Sequence, residues 1–359
     1  MAVLVKSLRE TWGSLRLGPS VLISPKRNKW DKVLLSEPLA AGNGIYVAEW
    51  YETGEVVKLD RETLEVVWRV KTPPPGAGVG AGLNPREAWN DDLILAGSVD
   101  GRVGMIEADS GRLRWTVSLA YAPRIWNGRV VAKNKVAVLL IDGLTGETTA
   151  QLGVSWPGDN AFKLCEDRIL SYPSEDVIGC LDLSTGQVVW QRGLLREMGE
   201  FARFDFKTNA IGLEAGSLPG SFVVTRGPVV FGLSLEDGSI RWGAPVAVAY
   251  YWPNVHGGRI YVLLMDHFVC LDEATGEIVY DVQHPQLAEA FLPKTGTIHA
   301  GKIAFAMESG HLAVFDLADG RLVWLYKHKV KLGRTGEADG RLLATSDDGH
   351  LLVFDEARH

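Results

Sequence analysis

Few residues in the sequence have the types and spacing that catalysis or metal binding requires. The segment GAGVGAG at 76–82 resembles a phosphate-binding loop, but its glycines are wrongly spaced, three prolines precede it and no helical pattern follows. The segment GSLPG at 216–220 lacks the residue between Gly and Ser that a nucleophile elbow has. The eight histidines are scattered, and none has a His or Cys partner at metal-binding spacing. The sequence therefore predicts no catalytic residue, no metal site and no cofactor.

A set of aromatic residues and one arginine has the composition of a protein-binding surface. Large aromatic side chains and Arg supply much of the binding energy in protein interfaces, because they bury a large area and retain a polar group. The alternative for each ring taken alone is that it packs a loop onto the body of the protein. The predicted partner-binding residues are Trp50, Tyr51, Tyr121, Trp156, Phe201, Phe204, Tyr250, Tyr251, Trp252 and Arg334.

The elements that position these residues follow from a phrase of about ten residues that recurs along the chain. In most copies an acid, which we call the anchor acid, precedes a turn that contains Gly, and an aromatic residue ends the phrase. The acid can accept hydrogen bonds from N–H groups of the turn, and Gly supplies the positive φ of a tight hairpin. Leu64 replaces this Gly in the first copy, so we expect a different turn geometry there. The copies are LDRETLEVVW ending at Trp68, IEADSGRLRW at Trp115, IDGLTGETTA at Ala150, LDLSTGQVVW at Trp190, LSLEDGSIRW at Trp242, LDEATGEIVY at Tyr280, FDLADGRLVW at Trp324, and a shortened FDEARH from Phe354.

Two further turns accompany each phrase. A turn with Gly or Asp lies 14 to 16 residues before every anchor position, and a third turn lies between these two landmarks. Three turns separate four strands, and about eight such antiparallel units describe a β-propeller. We therefore predict an all-β fold, an eight-bladed β-propeller of four-stranded antiparallel blades, with seven blades as the alternative.

The ends of the chain predict how the ring closes. The eighth copy stops at its turn, so no residues follow that could form the outermost strand of the last blade. Trp30 lies 14 residues before the first upstream turn at Gly44, a spacing that suits the missing strand. We expect an N-terminal strand around Trp30 to close the ring and leave no long exposed edge. This predicts an N-terminal extension at 1–26, whose first 20 residues are dispensable, and a single propeller domain at 27–359.

The propeller topology predicts that the aromatic set gathers on one face. Connections between blades lie on the same face as the middle hairpin turn of each blade, and binding residues concentrate on such loops. Two of these connections are long, at about 71–88 and 191–218. The offsets of the predicted binding residues from the turns place them on this side, which we call the loop-rich face.

The phrases LDLSTGQVVW, LDEATGEIVY and FDLADGRLVW resemble the repeat of the pyrroloquinoline-quinone-type (PQQ-like) β-propellers. The resemblance covers nearly the whole chain and implies the propeller fold. The quinoprotein dehydrogenases of that group carry an adjacent Cys-Cys pair over their cofactor, and this sequence has no adjacent cysteines. Other members of the group bind proteins, so the resemblance implies a propeller without the quinone.

Composition narrows the partners and the location. A formal charge of −7, from 37 basic and 44 acidic residues, is the wrong sign for a nucleic-acid-binding surface. No apolar run is long enough to cross a bilayer, and charges interrupt the first residues where a signal peptide would need an apolar core. The three cysteines, Cys165, Cys180 and Cys270, cannot all pair and form no C-x-x-C motif. We therefore expect a cytoplasmic monomer that binds neither nucleic acid nor membrane.

These observations favour a non-enzymatic platform that binds another protein. One form of that role is an immunity or antitoxin protein that covers a partner's active site. The alternative is an enzyme or small-ligand binder that uses the central channel of the propeller, including a divergent quinone-dependent dehydrogenase.

Overall fold

The computed structural model describes residues 12, 15–25, 33–49, 54–71, 84–98, 101–118, 121–134, 136–153, 162–174, 177–193, 211–246, 253–264, 266–288 and 296–356. Regular structure in these ranges is β-strand, apart from one turn of 3₁₀ helix at Pro285–Leu287. Among the described residues no helix has the length and apolar character that crossing a membrane requires.

The described strands form eight four-stranded antiparallel sheets, which are the eight blades of a β-propeller. In chain order, the first half contains β1 (Leu15–Leu22), β2 (Leu39–Ala41), β3 (Gly44–Ala48), β4 (Glu55–Asp60), β5 (Val66–Lys71), β6 (Asn84–Asn90), β7 (Leu93–Gly97), β8 (Arg102–Glu107), β9 (Leu113–Ser118), β10 (Tyr121–Trp126), β11 (Arg129–Lys133), β12 (Ala137–Asp142), β13 (Thr148–Gly153), β14 (Phe162–Cys165), β15 (Arg168–Ser174), β16 (Val177–Asp182) and β17 (Val188–Gly193). The second half contains β18 (Ile211–Ala215), β19 (Ser221–Arg226), β20 (Val229–Ser234), β21 (Ile240–Pro245), β22 (Asn254–His256), β23 (Arg259–Leu264), β24 (His267–Asp272), β25 (Ile278–Gln283), β26 (Thr297–His299), β27 (Lys302–Ala306), β28 (His311–Asp316), β29 (Leu322–Lys327), β30 (Leu332–Ala338), β31 (Arg341–Ser346) and β32 (His350–Glu356).

Blades 1 to 7 each take four consecutive strands, from β2–β5 to β26–β29, and blade 8 combines β30, β31 and β32 with β1. The first strand of each blade lies innermost, and the last lies at the outer edge. The prediction of eight four-stranded blades is confirmed.

The anchor acid organises its hairpin as the sequence predicts. Asp182 Oδ1 accepts hydrogen bonds from the backbone N–H of Ser184 at 2.9 Å and of Thr185 at 2.8 Å, and from both hydroxyl groups. Gly186 then adopts a φ of 70° and donates its N–H to the Asp182 carbonyl at 2.9 Å. The hydrogen bonds from Ser184 and Thr185 lower the pKa of Asp182.

An aromatic side chain on the outer strand fixes a blade to the next one. Trp190 donates its indole N–H to the carbonyl of Leu235 at 2.9 Å, one residue after the anchor position of the following blade. The ring stacks on Phe222 with centroids 5.8 Å apart, and a Cβ added to Gly238 would lie 2.6 Å from it. Gly238 is therefore required for space as well as for its φ of 73°. Equivalent bonds join Trp68 to Ala108, Trp115 to Gly143, Trp242 to Glu273 and Tyr280 to Leu317.

A β-bulge precedes the last residue of the phrase in blades 1 to 7, which is aromatic except for Ala150 in blade 3, and it protects the outer edge. In blade 4, for example, Leu181 pairs with Val188 and Cys180 with Trp190, so that Val189 is the extra residue. The bulge interrupts the regular ladder at the exposed edge, which discourages pairing with another chain. The equivalent register shifts occur between β4 and β5, β8 and β9, β12 and β13, β20 and β21, β24 and β25, and β28 and β29.

The expectation of a different turn at Leu64 is wrong. Leu64 adopts the left-handed conformation with a φ of 62° and donates its N–H to the Asp60 carbonyl at 2.9 Å, as Gly does in the other copies. Its side chain is buried in the apolar cluster shared by blades 8 and 1, together with Ile23 and Val33. Burial of this side chain offsets the strain of a non-glycine residue at positive φ.

An N-terminal strand closes the ring, but it is not the predicted one. The strand is β1, which pairs antiparallel with β32 from Leu15–Glu356 to Leu22–His350. It lies inside the segment 1–26 that the sequence assigned to an extension, and Trp30 is outside the described residues. Trp12 is fully buried between blades 7 and 8 and donates its indole N–H to the Gly340 carbonyl at 2.6 Å. The prediction used only the spacing between Trp30 and the turn at Gly44. The positions of the turns do not fix how far before blade 1 the closing strand lies, so this spacing was misleading.

Truncating Trp190 tests the contact between blades. We expect Trp190→Ala to lower the free energy of unfolding by about 3–5 kcal/mol, because it leaves a cavity at the boundary of blades 4 and 5. Trp190→Phe keeps a buried ring and loses only the N–H donor, so it is expected to cost about 1 kcal/mol. Urea unfolding measures both variants, and equal losses would contradict the packing role.

Deleting residues 1–22 tests the closing strand. The deletion removes β1 and Trp12, exposes the β32 edge and is expected to abolish a cooperative thermal transition. Deleting residues 1–10 leaves Trp12 and β1 in place and is expected to change the melting temperature little. A cooperative melt at the native temperature after the longer deletion would refute closure by β1.

The anchor acids predict a loss of stability in acid. Hydrogen bonds within the turns lower the folded-state pKa of the anchor acids Asp60, Asp142 and Asp182, and they lower that of Asp237, a turn residue of blade 5, to about 2. A lowered folded-state pKa gives stability that is present above the unfolded pKa of about 3.9 and is lost as the pH falls towards the folded value. Urea midpoints are therefore expected to drop between about pH 4 and pH 2. Asp182→Asn is expected to have a shallower pH dependence, and an unchanged slope would contradict this contribution.

Candidate functional site

Most of the predicted binding residues lie outside the described residues. These are Trp50, Tyr51, Trp156, Phe201, Phe204, Tyr250, Tyr251 and Trp252. The other two, Tyr121 and Arg334, lie on the innermost strands β10 and β30. Their gathering on one surface therefore stays a prediction.

Tyr121 packs against the neighbouring blade at the loop-rich face. Its ring lies over Gly101 in the middle hairpin of blade 2, where an added Cβ would be 2.6 Å from Cζ. Gly101 has a φ of 89°, so the turn and the ring both require glycine. Tyr121 thus has the packing role that was the alternative for each single ring, although the side chain is only half-buried.

Arg334 lies in the centre of the ring. The innermost strands surround a cavity of about 530 Å³, and the described residues that line it come from seven blades. Polar and apolar side chains alternate in this lining. It comprises Glu37, Ala122, Arg124, Phe162, Lys163, Leu213, Glu214, Pro253, Asn254, Val255, Gly296, Ile298 and Arg334.

Ion pairs join neighbouring blades along the wall of this channel. Lys163 Nζ lies 2.7 Å from Glu214 Oε2 and 2.9 Å from Oε1, between blades 4 and 5. Arg334 Nη1 lies 3.9 Å from Glu37 Oε2, between blades 8 and 1. A third pair, Arg124 with Glu87 at 3.5 Å, joins blades 2 and 3.

These pairs add little stability individually, because their side chains remain partly exposed to solvent. They place an acid and a base side by side at three of the boundaries between blades. The sequence pattern did not predict a role for Glu37, Glu87, Lys163 or Glu214. Their offsets before the inner turns were a usable signal, because these offsets place each of them on or beside an innermost strand.

The connection between blades 7 and 8 is a described part of the loop-rich face. His328 N donates to the Gly310 carbonyl at 2.8 Å, and His328 Nδ1 lies 3.0 Å from Tyr326 Oη. Burial lowers the pKa of His328. Burial of Asp348 opposes its ionisation, but hydrogen bonds from Ser346 and His350 hold its pKa below the usual range. These contacts order the connection.

The channel lining does not fit the quinone site of the dehydrogenases that share this repeat. Such a site groups carboxylate and amide ligands around one metal ion, whereas Glu37, Glu87 and Glu214 are separated and each faces its own cation. Among the described residues, no group of three or more His, Cys, Asp or Glu side chains is placed to hold a metal ion. The prediction that the protein is not an enzyme remains a prediction.

The cysteines are structural. Cys165, Cys180 and Cys270 are buried and unpaired, and burial raises their pKa values to about 11, 12 and 11. Thiols of this kind are largely protonated and inaccessible at neutral pH, so they react slowly with oxidants. Their unpaired state therefore carries no information about the redox compartment.

The anchored hairpins, the aromatic contacts between blades and the eight-bladed ring define a β-propeller of the PQQ-like repeat class. The chain belongs to the family described as outer membrane protein assembly factor BamB, whose model matches residues 24–152 and 174–353. The family resemblance inferred from the repeated phrase is confirmed.

Individual relatives support this placement. The outer membrane protein assembly factor BamB of Legionella pneumophila (strain Paris) is 27% identical over 188 residues, which are 48% of this chain and 46% of the relative. The match thus spans about half the length of that curated relative. BamB from Moraxella catarrhalis superposes with a TM-score of 0.65 at 19% identity, over 96% of this chain and 98% of that chain.

The fold is also shared with proteins of other kinds. A europium-containing methanol dehydrogenase has a TM-score of 0.65 at 12% identity, over 95% of this chain and 93% of that chain. The computationally designed Ika8 protein has a TM-score of 0.69 at 14% identity, over 92% and 98%. At such identities the likeness shows the fold alone.

The predicted cytoplasmic location is wrong. The matching family and the Legionella relative are described by their role in outer membrane protein assembly, which associates them with the outer membrane rather than with the cytoplasm. The prediction relied in part on unpaired cysteines, and the burial of those thiols removes that argument. The predictions of a monomer and of no binding to membranes or nucleic acid stay predictions.

Proposed function

We propose that the protein is a non-enzymatic scaffold that binds other proteins during the assembly of outer membrane proteins. The observation that carries this proposal is the match of the assembly-factor family across two long segments, 24–152 and 174–353, of one closed propeller. A closed ring of blades is a rigid support for loops, and binding loops on rigid scaffolds lose less entropy when a partner docks.

The loop-rich face is the proposed partner-binding surface. We assign to this face the two long connections that follow β5 and β17, because each joins an outer strand to the innermost strand of the next blade. The aromatic residues predicted there have the composition of interface anchors, and Lys329 in the ordered connection between blades 7 and 8 is 75% exposed. The opposite face is built from short turns of nearly constant length, which offer less variation for specificity.

The narrower role of an immunity protein would use the same surface to cover a partner's active site. It differs in its biological readout, because an immunity protein protects cells from a toxin and an assembly factor maintains the outer membrane. No contact in the described residues favours the immunity role. The family match favours assembly.

Alanine variants on the two faces test the proposed surface. Trp156→Ala and Trp252→Ala are expected to weaken partner binding by about 2 kcal/mol, roughly thirtyfold, without lowering the melting temperature. Photo-crosslinking from the same positions in the native organism identifies the partner, and titration calorimetry then measures its affinity. Folded outer membrane β-barrel proteins, assayed by their heat-modifiable gel mobility, are expected to decrease in the same variants.

Trp126→Ala is the matched control on the opposite face. Trp126 is a half-buried Trp beside an inner turn, and its indole N–H donates to Asp167 Oδ1 at 2.9 Å. This variant is expected to bind the partner normally. If Trp126→Ala lost binding while Trp156→Ala and Trp252→Ala retained it, the interface would lie on the face opposite to the one proposed. Protection against a toxin, with normal β-barrel assembly, would favour the immunity role instead.

A further inference from the structure

The wall of the central channel has one uncharged sector among its described lining residues. Blades 6 and 7 contribute Pro253, Val255, Gly296 and Ile298, together with the buried amide of Asn254. Asn254 Oδ1 accepts the Gly296 N–H at 3.0 Å, which joins these two blades without a charge. An apolar part of a ligand can therefore lie against this sector without desolvating an ion.

An ion pair flanks this sector on each side. Blades 5 and 4 carry Glu214 and Lys163, and blades 8 and 1 carry Arg334 and Glu37. The side chains of Lys163 and Glu214 are 27% and 23% exposed, and those of Arg334 and Glu37 are 37% and 58% exposed. Each pair thus presents a positive and a negative group that solvent reaches.

The charge balance of the lining selects the class of ligand. The described lining contains the cations Arg124, Lys163 and Arg334 and the anions Glu37 and Glu214. Glu87 does not line the cavity but lies 3.5 Å from Arg124 and balances its charge. A ligand with a net charge would leave one sign uncompensated in a confined space, whereas a zwitterion matches both signs. The cavity volume of about 530 Å³ falls in the usual range of small-molecule sites.

We propose that the central channel binds a short zwitterionic peptide with apolar side chains. Its side chains lie against Val255 and Ile298, its ammonium group contacts the carboxylate of one flanking pair, and its carboxylate contacts the cation of the other. Charge-assisted hydrogen bonds at both ends fix the orientation and length of the peptide. The inference does not rest on the proposed role in membrane protein assembly, since the loop-rich face and the channel are separate surfaces.

Titration calorimetry with the tripeptide Leu-Ala-Leu on the full chain tests the site. We expect saturable binding, and we expect the same tripeptide with an acetylated N-terminus and an amidated C-terminus to bind at least about tenfold more weakly. Adipate, which has two carboxylates and no ammonium group, is expected not to bind at millimolar concentration. Absence of tripeptide binding, equal binding of the blocked form, or tighter binding of adipate would each overturn the proposal.

A double variant locates the binding to the channel. Lys163→Gln with Glu214→Gln removes one flanking pair without leaving a single charge unpaired, and it is expected to weaken tripeptide binding at least about tenfold. Lys331→Gln with Glu308→Gln is the matched control, because it removes an ion pair of 3.0 Å that does not line the cavity. Equal affinity of the two double variants would overturn the assignment. The comparison of free and blocked tripeptide on the unaltered chain tests the proposal even if the channel variant fails to fold.

Discussion

The contact between an outer-strand aromatic ring and the turn of the next blade holds the propeller together. Each sheet is apolar on both faces, so a blade buries its apolar side chains only when neighbouring blades cover them. The indole N–H of Trp190 donates to the Leu235 carbonyl, which fixes the orientation of the ring. The ring packs on Gly238, so one side chain both orients and fills the contact between the two blades. Because five boundaries use such a bond, the angle between neighbouring blades is set locally and the ring closes by repetition.

At two other boundaries the described residues show a different set of contacts. Between blades 3 and 4 the aromatic position is Ala150, and Leu152 packs on Gly186 while Trp126 reaches Asp167 from an inner strand. Between blades 7 and 8, Trp324 packs edge-on against Phe354 with centroids 5.3 Å apart, and buried Trp12 packs into the same boundary cluster. Different side chains can therefore form the contact between two blades, provided that they fill the volume between the sheets.

The sequence was sufficient to predict the blades because their hairpins are local. Anchor acid, turn and glycine lie within a few residues, so the hydrogen bonds of Asp182 could be inferred without knowledge of distant residues. The closing strand could not be placed the same way, because pairing of β1 with β32 depends on residues more than 300 positions apart.

The channel charges were missed for a related reason. Lys163 and Glu214 become neighbours only through ring geometry, and neither belongs to the repeated phrase. The aromatic surface remains predicted from offsets alone, since eight of its ten residues lie outside the described ranges.

Pairing of β1 with β32 also constrains the order in which the protein can be built. Blades 1 to 7 can form in sequence as the chain lengthens, since each uses four consecutive strands. Blade 8 must wait until the last residues have emerged, and until then β1 has no partner and the ring remains an open arc. Long-range pairing of this kind is slow, and unpaired strand edges are prone to aggregate while they wait. Ring closure is therefore the last step of folding, and it depends on the two ends of the chain being free to meet.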